Sequence, residues 1–221
     1  DGPGVVLVED GRIVRVIHGA APDLAADRIV DADGLCLAPG LIDIRVKTGE
    51  PGAEPKETLK SASLAAAAGG VTTIVVQPDT DPAVDDPAMV DFIQRRGAAL
   101  NLVNVRAAGA ATKALDGQRM AEIGLMDEAG ALYFTDGDKV IVNSRTLQRV
   151  MSYAAAFNAL IACRPADPWL TEGAVAASGE LATRLGLSGS PAIAERIGLE
   201  RDLALVEQTG ARFLVDQIST E

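Results

Sequence analysis

Apolar runs and segments of helical periodicity alternate along most of the chain. After Pro39, short runs rich in valine, isoleucine and leucine predict strands, which lie at residues 41–46, 71–76, 100–106, 132–134, 159–164 and 212–218. Between them, small and apolar residues in helical spacing predict helices over residues 56–68, 87–99, 119–129, 143–157 and 191–209. We expect the first strand to be buried and the last helix to be amphipathic. Six strands alternating with helices indicate a parallel sheet.

The N-terminal part of the chain has a different pattern. Two β-branched runs within residues 5–17 meet at Asp10-Gly11, which predicts a hairpin because glycine tolerates the positive φ of a tight turn. Residues 28–32 predict one more short strand. We therefore expect a small β-region over residues 1–38, part of a β-sandwich, followed by a larger domain over residues 39–221.

Composition narrows the class of protein. The 221 residues are 48% hydrophobic and carry a net charge of -11, which fits a globular protein and argues against a nucleic-acid partner, since phosphate binding needs clustered cations. No apolar run is long enough to span a membrane. Cys36 and Cys163 form no C-x-x-C pair, and with no signal peptide recognised we predict a reducing, cytoplasmic location.

A motif at the start of the larger domain carries a family resemblance. Residues 39–52 read Pro-Gly-Leu-Ile-Asp-Ile-Arg-Val-Lys-Thr-Gly-Glu-Pro-Gly. They resemble the first barrel strand of the dihydroorotase branch of the amidohydrolase superfamily, whose pattern is Pro-Gly-x-x-Asp-x-His-x-His-x-Arg-Glu-Pro-Gly. By this resemblance Arg45 and Lys47 stand at two metal-binding histidines, and Gly49 stands at a substrate-binding arginine.

The resemblance implies an α/β fold, the (β/α)8 TIM-type amidohydrolase barrel. Such a barrel needs about 250 residues and eight strands, whereas only about six strands are predicted here. We therefore expect a barrel that is truncated at its C-terminus. The loop after strand eight, which carries the family's catalytic aspartate, would then lie outside this chain.

Two loop segments resemble further motifs of the family. Residues 77–82, Gln-Pro-Asp-Thr-Asp-Pro, are similar to Met-Pro-Asn-Thr-x-Pro and place Asp79 at a substrate-contacting asparagine. A carboxylate only accepts hydrogen bonds, so anionic dihydroorotate would be repelled there. Residues 134–137, Phe-Thr-Asp-Gly, resemble Phe-Ser-Asp-Asp, which leaves Asp136 as the only retained candidate metal ligand.

Two later segments have lost their histidines. Residues 161–168 resemble the strand-five segment that ends His-x-Glu-Asp, with Arg164 at the histidine. Residues 213–220 resemble His-x-x-His-x-Ser-Thr, with Leu214 and Gln217 at the two histidines. Every histidine position that can be aligned is therefore occupied by another residue type.

These replacements predict that the chain holds no zinc. A hydrolytic zinc site uses imidazole or carboxylate ligands to bind the cation and to lower the pKa of its water. Arginine is always charged, and lysine ligates only as a neutral amine or after carboxylation. We expect no cofactor, and we assign no catalytic residue. We also expect Arg45, Lys47 or Arg164 to pair with Asp136 or Asp43, which would otherwise be uncompensated carboxylates.

Several residues admit a functional and a plainer interpretation. His18 is the only histidine and is expected at the surface, since one imidazole cannot build a zinc site. Cys163 could be a nucleophile, but without a histidine partner we expect a buried apolar residue. We expect Ser219-Thr220 to be structural, and the acidic clusters in residues 79–86 to form turns and helix caps, with a divalent ion as the alternative.

Two classes of function remain open. The first is a non-catalytic dihydroorotase homologue, for which the resemblance implies a partner, the catalytic chain of aspartate carbamoyltransferase in pyrimidine biosynthesis, and a homo- or hetero-oligomer. The second is a divergent dihydroorotase or related cyclic amidohydrolase that hydrolyses a cyclic amide, with zinc as its cofactor. Neither class involves nucleic acid or a membrane.

Overall fold

The computed structural model describes residues 2–19 and 25–220. The chain divides into two compact units, Asp1–Pro39 and Gly40–Glu221. Among the described residues, no helix has the length and apolar character to cross a membrane.

The first unit contains an antiparallel hairpin of β1 (Gly4–Glu9) and β2 (Arg12–His18). Its turn residues Asp10 and Gly11 have φ values of 49° and 73°, as the predicted tight turn requires. The prediction of a strand at residues 28–32 is wrong, because no strand forms there. Instead the backbone N–H of Asp33 donates to the Asp31 side chain at 2.9 Å, a local turn that competes with strand pairing.

The second unit alternates strands with helices. In chain order the elements before Asp136 are β3 (Leu41–Val46), α1 (Leu59–Ala68), β4 (Val71–Val76), α2 (Pro87–Leu100), β5 (Asn104–Ala107), β6 (Gly109–Ala110), a 3₁₀ turn (Lys113–Leu115), α3 (Ile123–Glu128) and β7 (Phe134–Thr135). After it come α4 (Ser144–Ala156), β8 (Leu160–Cys163), β9 (Ala176–Ala177), α5 (Glu180–Leu185), β10 (Gly189–Ser190), α6 (Ala192–Thr209) and β11 (Arg212–Val215).

The strands form one side of a parallel barrel. β3, β4 and β5 pair in that order, and β6, β7, β8 and β11 pair in a second parallel sheet. Ala108 alone separates β5 from β6; its N–H donates to Val76, whereas the next N–H donates to Tyr133, so this segment joins the two sheets. Six successive barrel positions are therefore filled, as the sequence predicts, and the architecture is a partial (β/α) barrel.

The main apolar core lies between the outer face of these strands and the helices. Its largest fully buried side chains include Phe134, Leu59, Ile74, Ile93 and Met151. A smaller cluster of Val75, Ala108, Tyr133 and Ala162 is separate from it, with Leu160 and Leu214 packed against it. These residues alternate along their strands with members of the main core, so they lie on the inner face of the barrel.

Two sequence predictions about burial are wrong. β3 was expected to be buried, yet Leu41 and Ile42 are mostly exposed, because β3 pairs with β4 alone and forms a sheet edge. α6 was expected to bury an apolar stripe, but its buried residues are Ala194, Gly198 and Asp202. A Cβ on Gly198 would lie 2.4 Å from the backbone nitrogen of Ala166, so the close approach of this helix selects small residues.

Candidate functional site

The candidate site lies at the carboxyl ends of the barrel strands, which meet at one rim because the strands are parallel. Arg45 is at the end of β3 and Lys47 directly follows it. Asp138 lies just beyond β7, and Asp216 directly follows β11. The fold thus brings together side chains that are far apart in sequence.

Five charged side chains form a continuous series of ion pairs at this rim, called here the ion chain: Asp216, Arg45, Asp138, Lys47 and Asp79. Arg45 donates from Nε to Asp216 Oδ2 at 2.8 Å and from Nη2 to Asp138 Oδ1 at 2.7 Å. The Lys47 ammonium bonds Asp138 Oδ2 and lies 2.8 Å from Asp79 Oδ2. The ion chain therefore links β3 to the segments that follow β4, β7 and β11.

Hydrogen bonds within the ion chain favour the charged forms of Lys47, Arg45 and Asp138. Burial lowers the pKa of Lys47, but hydrogen bonds to Asp138 and Asp79 outweigh that effect and raise it. Burial likewise lowers the pKa of Arg45, and its bonds to Asp216 and Asp138 outweigh it. Hydrogen bonds from Lys47 and Arg45 lower the pKa of Asp138. A protonated lysine has no lone pair for a metal, so these pairings remove Lys47 as a ligand.

The cations do pair with carboxylates, but not with the predicted ones. Asp136 is 3% exposed, and it accepts the backbone N–H of Thr112 at 2.9 Å on Oδ1 and the Thr112 hydroxyl on Oδ2. Asp43 accepts the N–H of Arg45 at 2.9 Å and is exposed. The predicted pairing fails because Thr112 already satisfies Asp136, and because the exposed Asp43 side chain binds backbone of its own strand.

The position that resembles the substrate-binding arginine is filled by the protein's own backbone. A Cβ on Gly49 would lie 2.0 Å from the carbonyl oxygen of Ala53 and 3.0 Å from that of Glu57. The Gly49 N–H donates to Glu57 at 2.8 Å, and its carbonyl accepts from Ala53 at 2.5 Å. This folded loop leaves no space for any side chain at residue 49.

The same loop lines a cleft beside Lys47. The cleft has a volume of about 490 Å³ and includes Lys56, Asp79 and Asp81 among its walls. Glu50 holds the loop in place, since its side chain accepts hydrogen bonds from the Leu59 N–H at 2.9 Å and from Arg96 Nε at 2.8 Å. The cleft is thus built from hydrogen-bonded backbone with charges of both signs at its edge.

The acidic residues after β4 have structural partners. Asp86 caps α2 by accepting the Met89 N–H at 3.0 Å, and Asp85 accepts the Ala114 N–H at 2.7 Å. These contacts support the plainer prediction of turns and helix caps. Within residues 77–86 there are four aspartates and no lysine or arginine, so this side of the rim is strongly anionic.

The remaining predicted site residues do not join the ion chain. Arg164 follows β8 and is exposed, and among the described residues it has no carboxylate within 4.0 Å. Leu214 packs on the inner face of the barrel. Gln217 is exposed with a φ of 58°. Of the five aligned histidine positions, therefore, only those of Arg45 and Lys47 belong to the ion chain.

A buried hydrogen-bond network lies inside the rim. The Tyr133 hydroxyl donates to the carbonyl of Ile44, and Gln77 Nε2 donates to that hydroxyl at 2.6 Å. Burial raises the pKa of Tyr133 to about 12, against the hydrogen bond from Gln77, so the phenol stays protonated at neutral pH. Gln77 Oε1 is buried and has no partner among the described residues.

The residues with two interpretations follow the plainer one. His18 is exposed at the end of β2, and Cys163 is buried, where burial raises the pKa of its thiol. Ser219 and Thr220 both donate their hydroxyl and backbone groups to the Glu195 carboxylate. The Glu195 carboxylate therefore holds this segment in place.

The family resemblance implies zinc, and the donor set at the rim does not fit it. Asp136 directs both oxygens at Thr112, and burial raises its pKa despite those bonds, which favours the protonated form. In the part of the chain that the structure describes, no group of three or more histidine, cysteine, aspartate or glutamate side chains is arranged to hold a metal ion. Guanidinium and ammonium groups stand where donors are needed.

Sequence reasoning missed Asp138 and Asp216, the two carboxylates that bind Arg45. A signal for Asp216 was present, because it alternates with Leu214 and so shares its inward face. A carboxylate facing the barrel interior needs a cation, and Arg45 ends another strand of the same barrel. No such signal marks Asp138, whose position depends on the loop that follows β7.

Comparison with solved structures supports the fold. The fold resembles L-hydantoinase from Arthrobacter aurescens with a TM-score of 0.77 at 22% sequence identity, covering 96% of this chain and 48% of that chain. A crystal structure of D-hydantoinase matches with a TM-score of 0.72 at 18% identity, covering 98% of this chain and 48% of that one. These matches show that the chain has the fold of about half of each of those proteins.

Sequence comparison gives the family. Residues 34–221 match the family described as "Dihydro-orotase-like", and the chain belongs to it. A dihydroorotase from Pelotomaculum thermopropionicum is 38% identical over 97% of this chain, and a dihydroorotase-like protein from Pseudomonas putida is 40% identical over 96%. The chain spans 50% of the length of each of these relatives.

Proposed function

We propose that this chain belongs to a non-catalytic dihydroorotase homologue, which acts as a scaffold or regulatory partner of aspartate carbamoyltransferase in pyrimidine biosynthesis. The observation that carries the proposal is the ion chain. Arg45 and Lys47 stand at two histidine positions of the family motif, and both are held in ion pairs with carboxylates. A site whose positions are filled by paired cations has no vacancy for a dication.

Two further features support the loss of hydrolysis. Dihydroorotate is an anion, and Gly49 offers it no cation where the family pattern has arginine. Asp79, at the family's asparagine, brings a carboxylate already paired with Lys47 at 2.8 Å. An anionic substrate would therefore meet carboxylates without the guanidinium that would compensate them.

The partner rests on the family resemblance, and the retained barrel is what a scaffold would need. The apolar core is well formed, with Phe134, Ile74 and Leu147 fully buried, although the rim lacks the donor set for zinc. A protein that acts as a scaffold is expected to keep a stable fold and does not need to keep metal ligands. We place the assembly in the cytoplasm and expect it to need no cofactor.

The second candidate is a divergent cyclic amidohydrolase. Its support is the 38% identity to a protein named dihydroorotase. In that case zinc and hydrolytic residues would have to come from positions outside the ion chain.

Metal analysis and an activity assay on the full-length protein separate the two candidates. We expect zinc well below one equivalent after growth in zinc, and no hydrolysis of dihydroorotate, with the Pelotomaculum dihydroorotase as positive control. Stoichiometric zinc together with turnover that chelators abolish would overturn the non-catalytic proposal.

Co-expression tests the partner separately. The full-length protein is produced with and without the aspartate carbamoyltransferase catalytic chain from the same source. We expect co-purification and a transferase that is inactive or unassembled when alone. A transferase with full activity alone and no co-purification would reject the partner, whatever the result of the metal analysis.

A further inference from the structure

A second cavity lies at the opposite end of the strands from the ion chain. Its volume is about 740 Å³, within the range of roughly 300–1,000 Å³ that is usual for small-molecule sites. Its walls include Val71 at the start of β4, Asn104 at the start of β5, Ala67 near the end of α1 and Ala98 on α2. None of the family's site positions named above is among its described walls.

Small residues of the two helices leave this space open. Ala67 of α1 and both Gly97 and Ala98 of α2 line it. A Cβ on the buried Gly97 would lie 2.3 Å from the Cβ of Val105, so α2 packs closely on β5 here. Further apolar side chains complete these walls: Val71, Leu102 and Val103. The cavity therefore offers apolar surface to a hydrocarbon group.

The walls also include an arginine whose side chain is held by hydrogen bonds. Arg106 Nη1 donates to Gln94 Oε1 at 3.0 Å, and Gln94 Nε2 donates to the backbone carbonyl of Ala129 at 2.8 Å. Among the described residues, Arg106 has no carboxylate within 4.0 Å, and none of those that line the cavity is acidic. The chain carries 31 aspartate and glutamate residues, so an oriented guanidinium in an acid-free cavity is suited to an external anion.

Two asparagines on the same walls can recognise an amide. Asn101 and Asn104 are both exposed to the cavity's solvent-facing side. Asn104 Nδ2 donates to the Thr72 carbonyl at 3.2 Å, which orients its amide. Because an amide presents both a donor and an acceptor, it pairs with another amide.

The helix ends at this cavity select for a single negative charge. α1 ends at Ala68 and α2 ends at Leu100, and a helix C-terminus carries partial negative charge that disfavours anions. One guanidinium can compensate a carboxylate, whereas a phosphate group carries up to two charges at neutral pH. The cavity is therefore better suited to a carboxylate.

We propose that this cavity binds a small N-acylated amino acid with an apolar side chain. The carboxylate accepts hydrogen bonds from Arg106, the amide pairs with Asn104, and the apolar side chain contacts Val71 and Val103. The site shares no residue with the ion chain, so the inference stands independently of the proposed lack of hydrolysis.

Calorimetric titration of the full-length protein with three matched compounds tests the ligand class. N-acetylleucine has the carboxylate, the amide and the apolar side chain; N-acetylleucinamide lacks the charge, and isocaproate lacks the acetylamino group. We expect N-acetylleucine to bind with a dissociation constant of about 1 mM or less, and the other two to bind at least roughly tenfold more weakly. Inorganic phosphate is expected not to compete. No binding of N-acetylleucine at about 10 mM, or equal binding of the three compounds, would overturn the proposal.

Two substitutions, each with a control, locate the site. Arg106→Met removes the guanidinium and is expected to weaken the binding of N-acetylleucine at least roughly tenfold, whereas Arg95→Met, at an exposed arginine of α2 outside the cavity, should leave it unchanged. Ala98→Phe fills the cavity and should abolish binding, whereas Ala99→Phe, at the next exposed position, should not.

Circular dichroism checks that each variant folds, and Arg106→Met decides alone if Ala98→Phe does not. Binding that persists at full strength in Arg106→Met would place the ligand elsewhere and overturn the proposal, whatever the result of the metal analysis.

Discussion

The folded loop around residue 49 requires a glycine at that position. Its Cβ position lies 2.0 Å from the Ala53 carbonyl oxygen, so even a methyl group forces the loop to move. We expect Gly49→Ala to lower the free energy of unfolding by about 2–3 kcal/mol, the usual cost of overpacking. Urea titration measures this.

Gly69 provides the control for that change. A Cβ there would meet only the carbonyl oxygens of Ala65 and Ala66, both at 3.6 Å, and the φ of -87° suits any residue. Gly69→Ala should stay within about 0.5 kcal/mol of the wild type. Equal costs for the two substitutions would mean that the loop does not fill the Gly49 position.

Arg45 is the residue on which the ion chain depends most. Arg45→Met removes the partner of Asp216, whose side chain is 16% exposed, and one partner of Asp138. We expect a loss of about 1–3 kcal/mol in the free energy of unfolding, because partly buried carboxylates are left without a cation. A urea titration at neutral pH measures it.

The matched change is Arg95→Met, which breaks an exposed i,i+4 pair with Asp91. Such pairs contribute only about 0.3–0.5 kcal/mol. Adding Asp216→Asn to each variant completes the test: its cost should shrink in the Arg45→Met background and stay the same in the Arg95→Met background. Additive costs for Arg45 and Asp216 would show that the pair does not stabilise the fold.

At this scale the sequence predicted which residue types are missing but not what replaces their contacts. Arg45 and Lys47 were recognisable from the motif at residues 39–52. Their partners could not be derived from that motif, because Asp138 and Asp216 reach the rim only through the pairing of β7 and β11 in the sheet. Long-range ion pairs depend on register and loop shape, neither of which a local pattern contains.

At the scale of elements, one carboxylate of α6 binds the segment that follows β11. Glu195 accepts the backbone N–H of Ser219 and Thr220, each at 2.9 Å, and both hydroxyl groups. Burial raises the pKa of Glu195, but these hydrogen bonds outweigh it and lower the pKa to about 2. A group whose pKa falls on folding stabilises the protein above its unfolded pKa and loses that effect as the pH falls.

The pH dependence follows from that sign. Glu195→Gln should cost roughly 1 kcal/mol at pH 7, a value reduced for solvent exposure. The difference from the wild type should shrink as the pH falls from 4.5, be mostly lost by pH 2 and vanish below it. Guanidinium titrations at several pH values measure it.

Glu200→Gln on the same helix serves as the reference, since Glu200 forms an exposed pair with Arg196 at 3.4 Å. Its effect should be small and should show little of this pH dependence. A Glu195→Gln difference that persists at pH 2 would mean that the carboxylate does not hold residues 219 and 220.

Element types were predictable and their burial was not. The strand at residues 71–76 and the helix beginning at Pro87 form as their patterns indicate. The failure at α6 has a physical cause, because its buried face of Ala194, Gly198 and Asp202 is set by close approach to the segment around Ala166. A helix that packs through small residues shows no apolar stripe in its sequence.

At the scale of the whole molecule, local stability should follow burial. β4 and α4 contribute fully buried residues such as Ile74, Val76, Leu147 and Val150. In contrast, Val14 and Val16 of β2 are about half-exposed. An isolated two-stranded hairpin is marginal in water. Hydrogen exchange on the 221-residue chain should therefore be slowest in β4 and α4 and much faster in β1 and β2. Equal protection in both regions would contradict this.

Barrel topology was predictable from the alternation of strands and helices, and its edges follow from the same order. The first and last strands of the series, β3 and β11, each have one parallel neighbour. That explains why an apolar run at residues 41–46, typical of a buried strand, is largely exposed. A local pattern indicates whether a segment can form a buried strand. The position of the strand in the sheet determines whether its side chains are in fact buried.

The ion chain also has a consequence for how this lineage can change. Exchanging Arg45 alone for histidine would strand Asp138 and Asp216, and exchanging Lys47 alone would weaken the hold on Asp79. Either single exchange is thus expected to lower the stability of the fold. Histidines could therefore replace these cations without loss of stability only if the facing carboxylates changed at the same time.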